Sequence, residues 1–201
     1  MTETTPRREA TRLRLIEAGI HEFATRGIDA TSVEQLCEAA GFSRGAFYSN
    51  FSTKDDLCIA ILEHHRDMVV EGLTRVYAEP PAEGGVSWAT GTALQTYFRI
   101  IAPTDEFRVT LMEIRLRTTR VPELAARARD LHDDVRPVMV SFIDQLAAAL
   151  GLRFTIPTED LLQVFDALYF SELNLPAEQR TGHLIGQVAV ALSRPIGDGN
   201  G

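Results

Sequence analysis

A chain of 201 residues, 45% of them hydrophobic, can bury the core of one domain or of a small and a larger one. Its opening stretch, Met1 to Arg14, is polar and charged, and no run approaches the ~18 apolar residues of a membrane span, so a soluble, cytoplasmic protein is expected. The net charge of −8 is not that of most nucleic-acid binders, but it is local: residues 1–54 carry seven basic and seven acidic side chains, so the whole excess lies beyond Lys54.

In chain order, residues 1–6 read as a disordered lead and a helix is predicted over about 7–25. Leu13, Ile16, Ile20 and Phe23 give that helix an apolar face, and Gly27 terminates it. Arg7, Arg8, Arg12 and Arg14 on it form either a solvated face or a set of phosphate contacts. Thr31 followed by Glu34 reads as a capping box, Val33, Leu36, Cys37 and Ala40 as one narrow apolar face, and Gly41 as the stop. Ser43 caps a second short helix, with Ala46 and Phe47 inward and Phe42 and Phe51 closing its ends. Two short helices around a glycine-containing turn is the helix-turn-helix plan, which lays the second helix in a DNA major groove.

Side chains of that second helix not needed inside are Arg44, Gly45, Tyr48 and Ser49. The arginine fork matches guanine O6 and N7, Gly45 and Ala46 let the backbone approach closely, and the Ala46 methyl suits a thymine methyl. Tyr48 and Asn50 are placed to donate to phosphate, as are Thr31 and Ser32 at the N-terminus of the first short helix. Thr53 caps a long helix predicted to about residue 77. Asp55 and Asp56 suit the positive end of its dipole, and its span of roughly 35–40 Å makes it a lever. His64 and His65 point about 100° apart and cannot ligate one ion.

Pro80, Pro81, Gly84 and Gly85 end the lever, and helices are predicted at about 87–101, 104–117 and 122–150, the last kinked at Pro137. Trp88, Tyr97, Phe98, Phe107, Met112, Met139 and Phe142, with Phe165 and Tyr169 further on, line an effector cavity or make plain core. Arg99, Arg115 and His132 are its candidate polar anchors. Helices at about 158–173 and 177–193 are apolar on more than one side, which assigns Leu161, Leu162, Phe165, Leu168, Tyr169, Gly182, Ile185, Gly186, Val188, Ala189 and Leu192 to a dimer interface. A loose tail, 195–201, follows. Cys37 and Cys58 lie on apolar faces, so neither a disulfide nor a metal site is expected, and no cofactor. No nucleophile–base arrangement or phosphate loop is visible, which makes an enzyme the weakest class.

The string Leu36-Cys37-Glu38-Ala39-Ala40-Gly41-Phe42-Ser43-Arg44-Gly45-Ala46-Phe47-Tyr48-Ser49-Asn50-Phe51-Ser52-Thr53-Lys54-Asp55-Asp56-Leu57 resembles the DNA-binding signature of the tetracycline-repressor (TetR) family of bacterial transcription regulators. Cys37 stands where the family usually has Ala, and Asn50 where many members have His. The resemblance implies that Arg44 and Tyr48 read or buttress bases while Thr31, Ser43, Asn50 and Lys54 hold the DNA backbone. It also implies an all-α homodimer of about nine helices per chain: residues 1–51 a three-helix DNA-binding domain, residues 52–194 an effector-binding and dimerisation domain. Such a protein binds a palindromic operator and is released by a small-molecule effector, with repression the commoner mode. The rival from another class is a helical interaction or small-molecule-carrier protein that retains the fold but not DNA binding. The neutral head and acidic body favour it, and the presence of Arg44, Tyr48 and Lys54 opposes it.

Overall fold

The computed structural model describes residues 6–78, 100–101, 103–180 and 182–196. Trp88, Tyr97, Phe98 and Arg99, the breaker segment after the lever and all but the end of the helix expected from residue 87 lie outside these. Eight α-helices occur among the described residues: α1 (Pro6–Arg26), α2 (Val33–Ala40), α3 (Arg44–Tyr48), α4 (Lys54–Ala78), α5 (Asp105–Thr118), α6 (Pro122–Ala149), α7 (Thr158–Ser171) and α8 (His183–Ala191). The fold is all-α, with one small departure. Leu152–Phe154 (β1) and Ser193–Pro195 (β2) pair antiparallel, Arg153 opposite Arg194.

The chain divides into two compact units, Met1–Arg66 with Thr104–Leu131, and Asp67–Pro103 with His132–Gly201. In the first, Leu15, Ile16, Phe23, Leu36, Cys37, Phe47, Phe51, Leu57, Cys58 and Ile61 form one buried cluster, to which α5 adds Ile114 and α6 adds Leu124. These residues recur on single helix faces, so each helix buries one stripe against the others. In α1 the buried stripe is Leu15, Ile16, Ala18, Gly19, Glu22 and Phe23. The second unit buries Phe142 and Ile143 of α6, Leu161, Phe165 and Tyr169 of α7, and Ile185 and Ala189 of α8.

Two predicted boundaries change. The cap of α2 is Ser32, whose hydroxyl accepts from the Gln35 amide at 3.2 Å while the Gln35 side chain accepts from the Ser32 amide at 2.8 Å. The box therefore sits one residue later than Thr31 and Glu34 would place it, because the Thr31 hydroxyl is spent on the Gly27 and Glu22 carbonyls. The final helix is shorter than 177–193. Its expected first turn is a separate 3-10 turn, Ala177–Gln179, and Gly182 precedes the helix with φ 65°. Other ends agree with the sequence. Thr104 caps α5 by accepting from the Phe107 amide, and Gly41 closes α2 in the left-handed region at φ 70°, where a side chain would be strained. Among the described residues no helix is long and apolar enough to cross a membrane, and no cluster of His, Cys, Asp or Glu suits a metal.

Candidate nucleic-acid interface

The surface carried by α2 and α3 is fixed from beneath. Phe47 is wholly buried, with its ring 5.5 Å from Tyr48 in an edge contact and 5.7 Å from Phe51. Ser43 caps α3 by accepting from the Ala46 amide at 3.3 Å, and Gly41 turns the chain between the two helices. With Phe47 inward, α3 presents Arg44, Gly45 and Tyr48 to solvent, Tyr48 at 50% exposure. A Cβ on Gly45 would meet nothing nearer than Ser43 Oγ, at 3.7 Å, so the fold itself does not require a glycine there. An internal helical glycine costs up to about 1 kcal/mol relative to alanine. The absence of a side chain leaves the backbone of α3 open to close approach from outside.

Arg44 is the most elaborated residue of this surface. Its Nη1 lies 2.5 Å from Glu34 Oε1, across the turn on α2, and its guanidinium stands 6.0 Å from the Tyr48 ring centre. The hydrogen bond to Tyr48 first, and the Glu34 carboxylate second, hold Arg44 above its already high ordinary pKa. The guanidinium is therefore charged, exposed and oriented.

Other expected DNA contacts divide. Ser32 and Ser43 are exposed N-caps, and their hydroxyls are engaged by their own helices. Asn50 donates from Nδ2 to the Ala46 carbonyl at 2.8 Å, closing the end of α3. Thr31 is corrected: it is 1% exposed and its hydroxyl is committed to backbone carbonyls, so it offers nothing to DNA. Lys54 is half-buried and tied to the fold. Its ammonium donates to Ile28 O at 2.6 Å, Thr31 O at 2.7 Å and Asp29 O at 3.5 Å. An ammonium has three N–H donors, and the α1–α2 loop takes all of them.

Arg8, Arg12 and Arg14 of α1 are likewise tied. Arg8 donates to the Ser49 carbonyl at 3.1 Å, Arg12 pairs with Glu63 at 2.6 Å and lies over Phe51, and Arg14 lies over Phe42. They brace the reading helices from behind. Sequence reasoning also missed a brace from far along the chain. The Thr110 hydroxyl of α5 donates to the Ile20 carbonyl, Glu113 accepts from the Ile28 amide, and Arg117 pairs with both Asp29, at 2.6 Å, and Asp55. Both cysteines are buried, and burial raises each thiol pKa, that of Cys58 to about 12, which leaves no reactive thiolate.

The predicted effector and dimer residues scatter. Phe107 is buried in the first unit, its ring 5.5 Å from His65; Met112 is 43% exposed there, and Arg115 is exposed. In the second unit Phe142, Phe165 and Tyr169 are buried, Met139 is half-buried and His132 exposed. A separate apolar cleft there is lined by Ile143, Leu146, Leu150, Leu152, Phe154 and Ala189, none of them predicted for an effector. Of the predicted interface, Leu161, Leu162, Phe165, Tyr169, Ile185 and Ala189 are buried within this chain's own core. Leu168, Gly182, Gly186, Val188 and Leu192 are half-buried, and the large apolar side chains exposed on α8 are Leu184 and Val190.

Residues 15–61 match the model of the family described as bacterial regulatory proteins, tetR family. The HTH-type transcriptional regulator YwcC of Bacillus subtilis is 46% identical over 57 residues, 28% of this chain and only 26% of that protein. The HTH-type transcriptional repressor Rv3405c of Mycobacterium tuberculosis is 25% identical over 179 residues, 89% of this chain and 90% of that protein. The same fold occurs in the transcriptional regulator FadR of Bacillus subtilis, solved in complex with stearoyl-CoA. Its TM-score is 0.68 at 13% identity, over 90% of this chain and 96% of that one.

Proposed function

We propose, from the premise that the chain belongs to the TetR family of bacterial regulatory proteins, that this transcriptional regulator is a cytoplasmic homodimeric repressor. It binds a palindromic operator and leaves it when a small molecule binds. The observation that carries the reading is the exposed Arg44–Gly45–Tyr48 surface, held rigid by Phe47 below and the Ser43 cap. Residues 1–51 read the DNA, Arg44 addressing a guanine while Ser32, Ser43 and Asn50 lie alongside the phosphates and Gly45 and Ala46 allow close approach. Residues 52–194 supply the dimer contact and the effector site. For the former, α7 and α8 offer Leu168, Leu184, Gly186, Val188, Val190 and Leu192; for the latter, Met139, Phe142, Phe165 and Tyr169 are the candidate lining.

Two copies related by a two-fold axis place their α3 helices in successive major grooves, which is why the operator is palindromic. An effector releases DNA only by preferring a spacing of those helices that the operator does not. The fold neighbour that carries stearoyl-CoA favours an apolar effector with a polar end. The deciding experiment titrates the purified protein against the intergenic DNA flanking its own gene at two salt concentrations, with and without Arg44→Ala. Saturable binding, tighter at low salt and weakened at least about tenfold by the substitution, is expected. Binding indifferent to Arg44 sinks the assignment of α3 as the reading helix.

A further inference from the structure

We propose that Glu34 is a positioning residue for base reading: its carboxylate holds the Arg44 guanidinium in the orientation that addresses a guanine. The inference rests on the DNA-reading role of α3 argued above. An acidic residue in the first turn of a helix is ordinarily accounted for by a capping box. Here Ser32 and Gln35 make the box between themselves, and Glu34 takes no part in it. Its carboxylate instead reaches across the turn to Arg44, 2.5 Å away, on the surface that meets the DNA.

A carboxylate on a surface that docks against phosphates is repelled by them over about a Debye length, ~8 Å at physiological salt, so it weakens binding to every sequence alike. What offsets that loss is selectivity. A guanidinium with one edge tied to Glu34 and standing beside the Tyr48 ring has fewer rotamers to lose when its remaining donors meet guanine O6 and N7. The same partial neutralisation reduces what it gains from a stray phosphate. Both effects raise the ratio of specific to non-specific binding, the quantity that matters when one site competes with a genome. Glu34 therefore acts through Arg44, and removing it makes binding stronger and less discriminating.

The test uses the full chain and selection from randomised duplex DNA, with wild type, Glu34→Gln, Glu34→Asp, Arg44→Ala and the Glu34→Gln/Arg44→Ala pair. Wild type is expected to recover a site containing a G·C pair whose preference Arg44→Ala abolishes. Glu34→Gln should lose about tenfold of the discrimination at that pair and keep it at the others, while binding unselected duplex severalfold more tightly. Glu34→Asp keeps the charge but not the reach, so it should lose the discrimination as well; a purely repulsive carboxylate would leave it intact. In the Arg44→Ala background Glu34→Gln should change nothing at that pair. Unchanged discrimination in Glu34→Gln overturns the inference, as does an effect that persists without Arg44, which would mean that Glu34 touches a base itself. A wild type that recovers no sequence at all overturns the DNA-reading function first and this inference with it.

Discussion

Among the described residues most ion pairs of the first unit join separate elements, Arg12 of α1 to Glu63 of α4, Arg117 of α5 to Asp29 and Asp55, and Arg127 of α6 to Asp56, with Arg26–Glu22 and Arg108–Asp105 inside one helix, whereas in the second Arg75–Glu71 and Arg136–Asp133 stay within one turn of one helix. The helix starts differ in the same way. Ser32, Ser43 and Thr104 cap their helices with side-chain hydrogen bonds, while α7 follows Pro157 and α8 follows Gly182 with no such bond. Polar ties across elements are directional, so those of the first unit constrain how its helices meet; the second unit has such a tie as well, from the Thr158 hydroxyl of α7 to Asp144 of α6. Apolar burial is non-directional and tolerates shifts. On the function proposed above, a surface that matches base edges needs the first kind of construction, and a body that changes shape around an effector would be served by the second.

The largest expected effect separates the units directly. Phe47→Ala should cost the first unit about 3–5 kcal/mol, and Phe165→Ala the second a similar amount. Amide exchange should then show protection lost in one unit and retained in the other. Loss in both after either change would make the chain one cooperative block and erase the contrast. Next is Lys54→Met, which leaves loop carbonyls without their donor and should lower the denaturation free energy by about 2 kcal/mol. Unchanged stability with a reduced salt slope of DNA binding would return Lys54 to the phosphate role the family resemblance implied.

Gly45→Ala should move stability the other way, by up to about 1 kcal/mol, while DNA affinity falls. An unimpaired affinity would show that no backbone approaches there. The smallest effect concerns Asp56, whose carboxyl the Arg127 hydrogen bond, followed by the Thr53 hydroxyl and amide, holds below the usual range. Because the folded value is depressed, the contribution is present at neutral pH and is lost as acid protonates the carboxylate. Arg127→Gln should therefore cost about 0.5 kcal/mol at pH 7, a deficit that shrinks as the pH falls below about 4. A deficit that does not vary with pH would assign the arginine to packing.

Helix ends governed by local chemistry were legible in the residues. Thr53, Thr104 and Gly41 act as their types dictate, since a cap or a left-handed stop involves only neighbours within a turn. The start of α2 was ambiguous by one residue because Thr31-Ser32 and Glu34-Gln35 offer two equivalent boxes, and a tertiary contact chose between them. Lys54 could not be read from sequence either: the three carbonyls that hold it belong to a loop more than twenty positions away. The same holds for the braces from Thr110, Glu113 and Arg117. For α7 and α8, apolar residues on several sides were assigned to a partner, but much of that surface is buried within the chain. The strand pair of Leu152–Phe154 with Ser193–Pro195 joins segments far apart in sequence and carries no local signal. That Arg44, Gly45 and Tyr48 share an exposed face was legible because they lie on one five-residue helix.

The single lysine of the chain has a consequence for covalent chemistry. Acetylation, and formaldehyde bridging from protein to nucleobase, both begin at the lone pair of a primary amine. The Lys54 nitrogen is an ammonium turned into the fold, its protons given to three carbonyls. Acylation of Lys54 must first break these bonds and is expected to be slow in the folded protein, and formaldehyde capture through this side chain should be weak, a yield that exchanging the exposed Arg7 for lysine should raise.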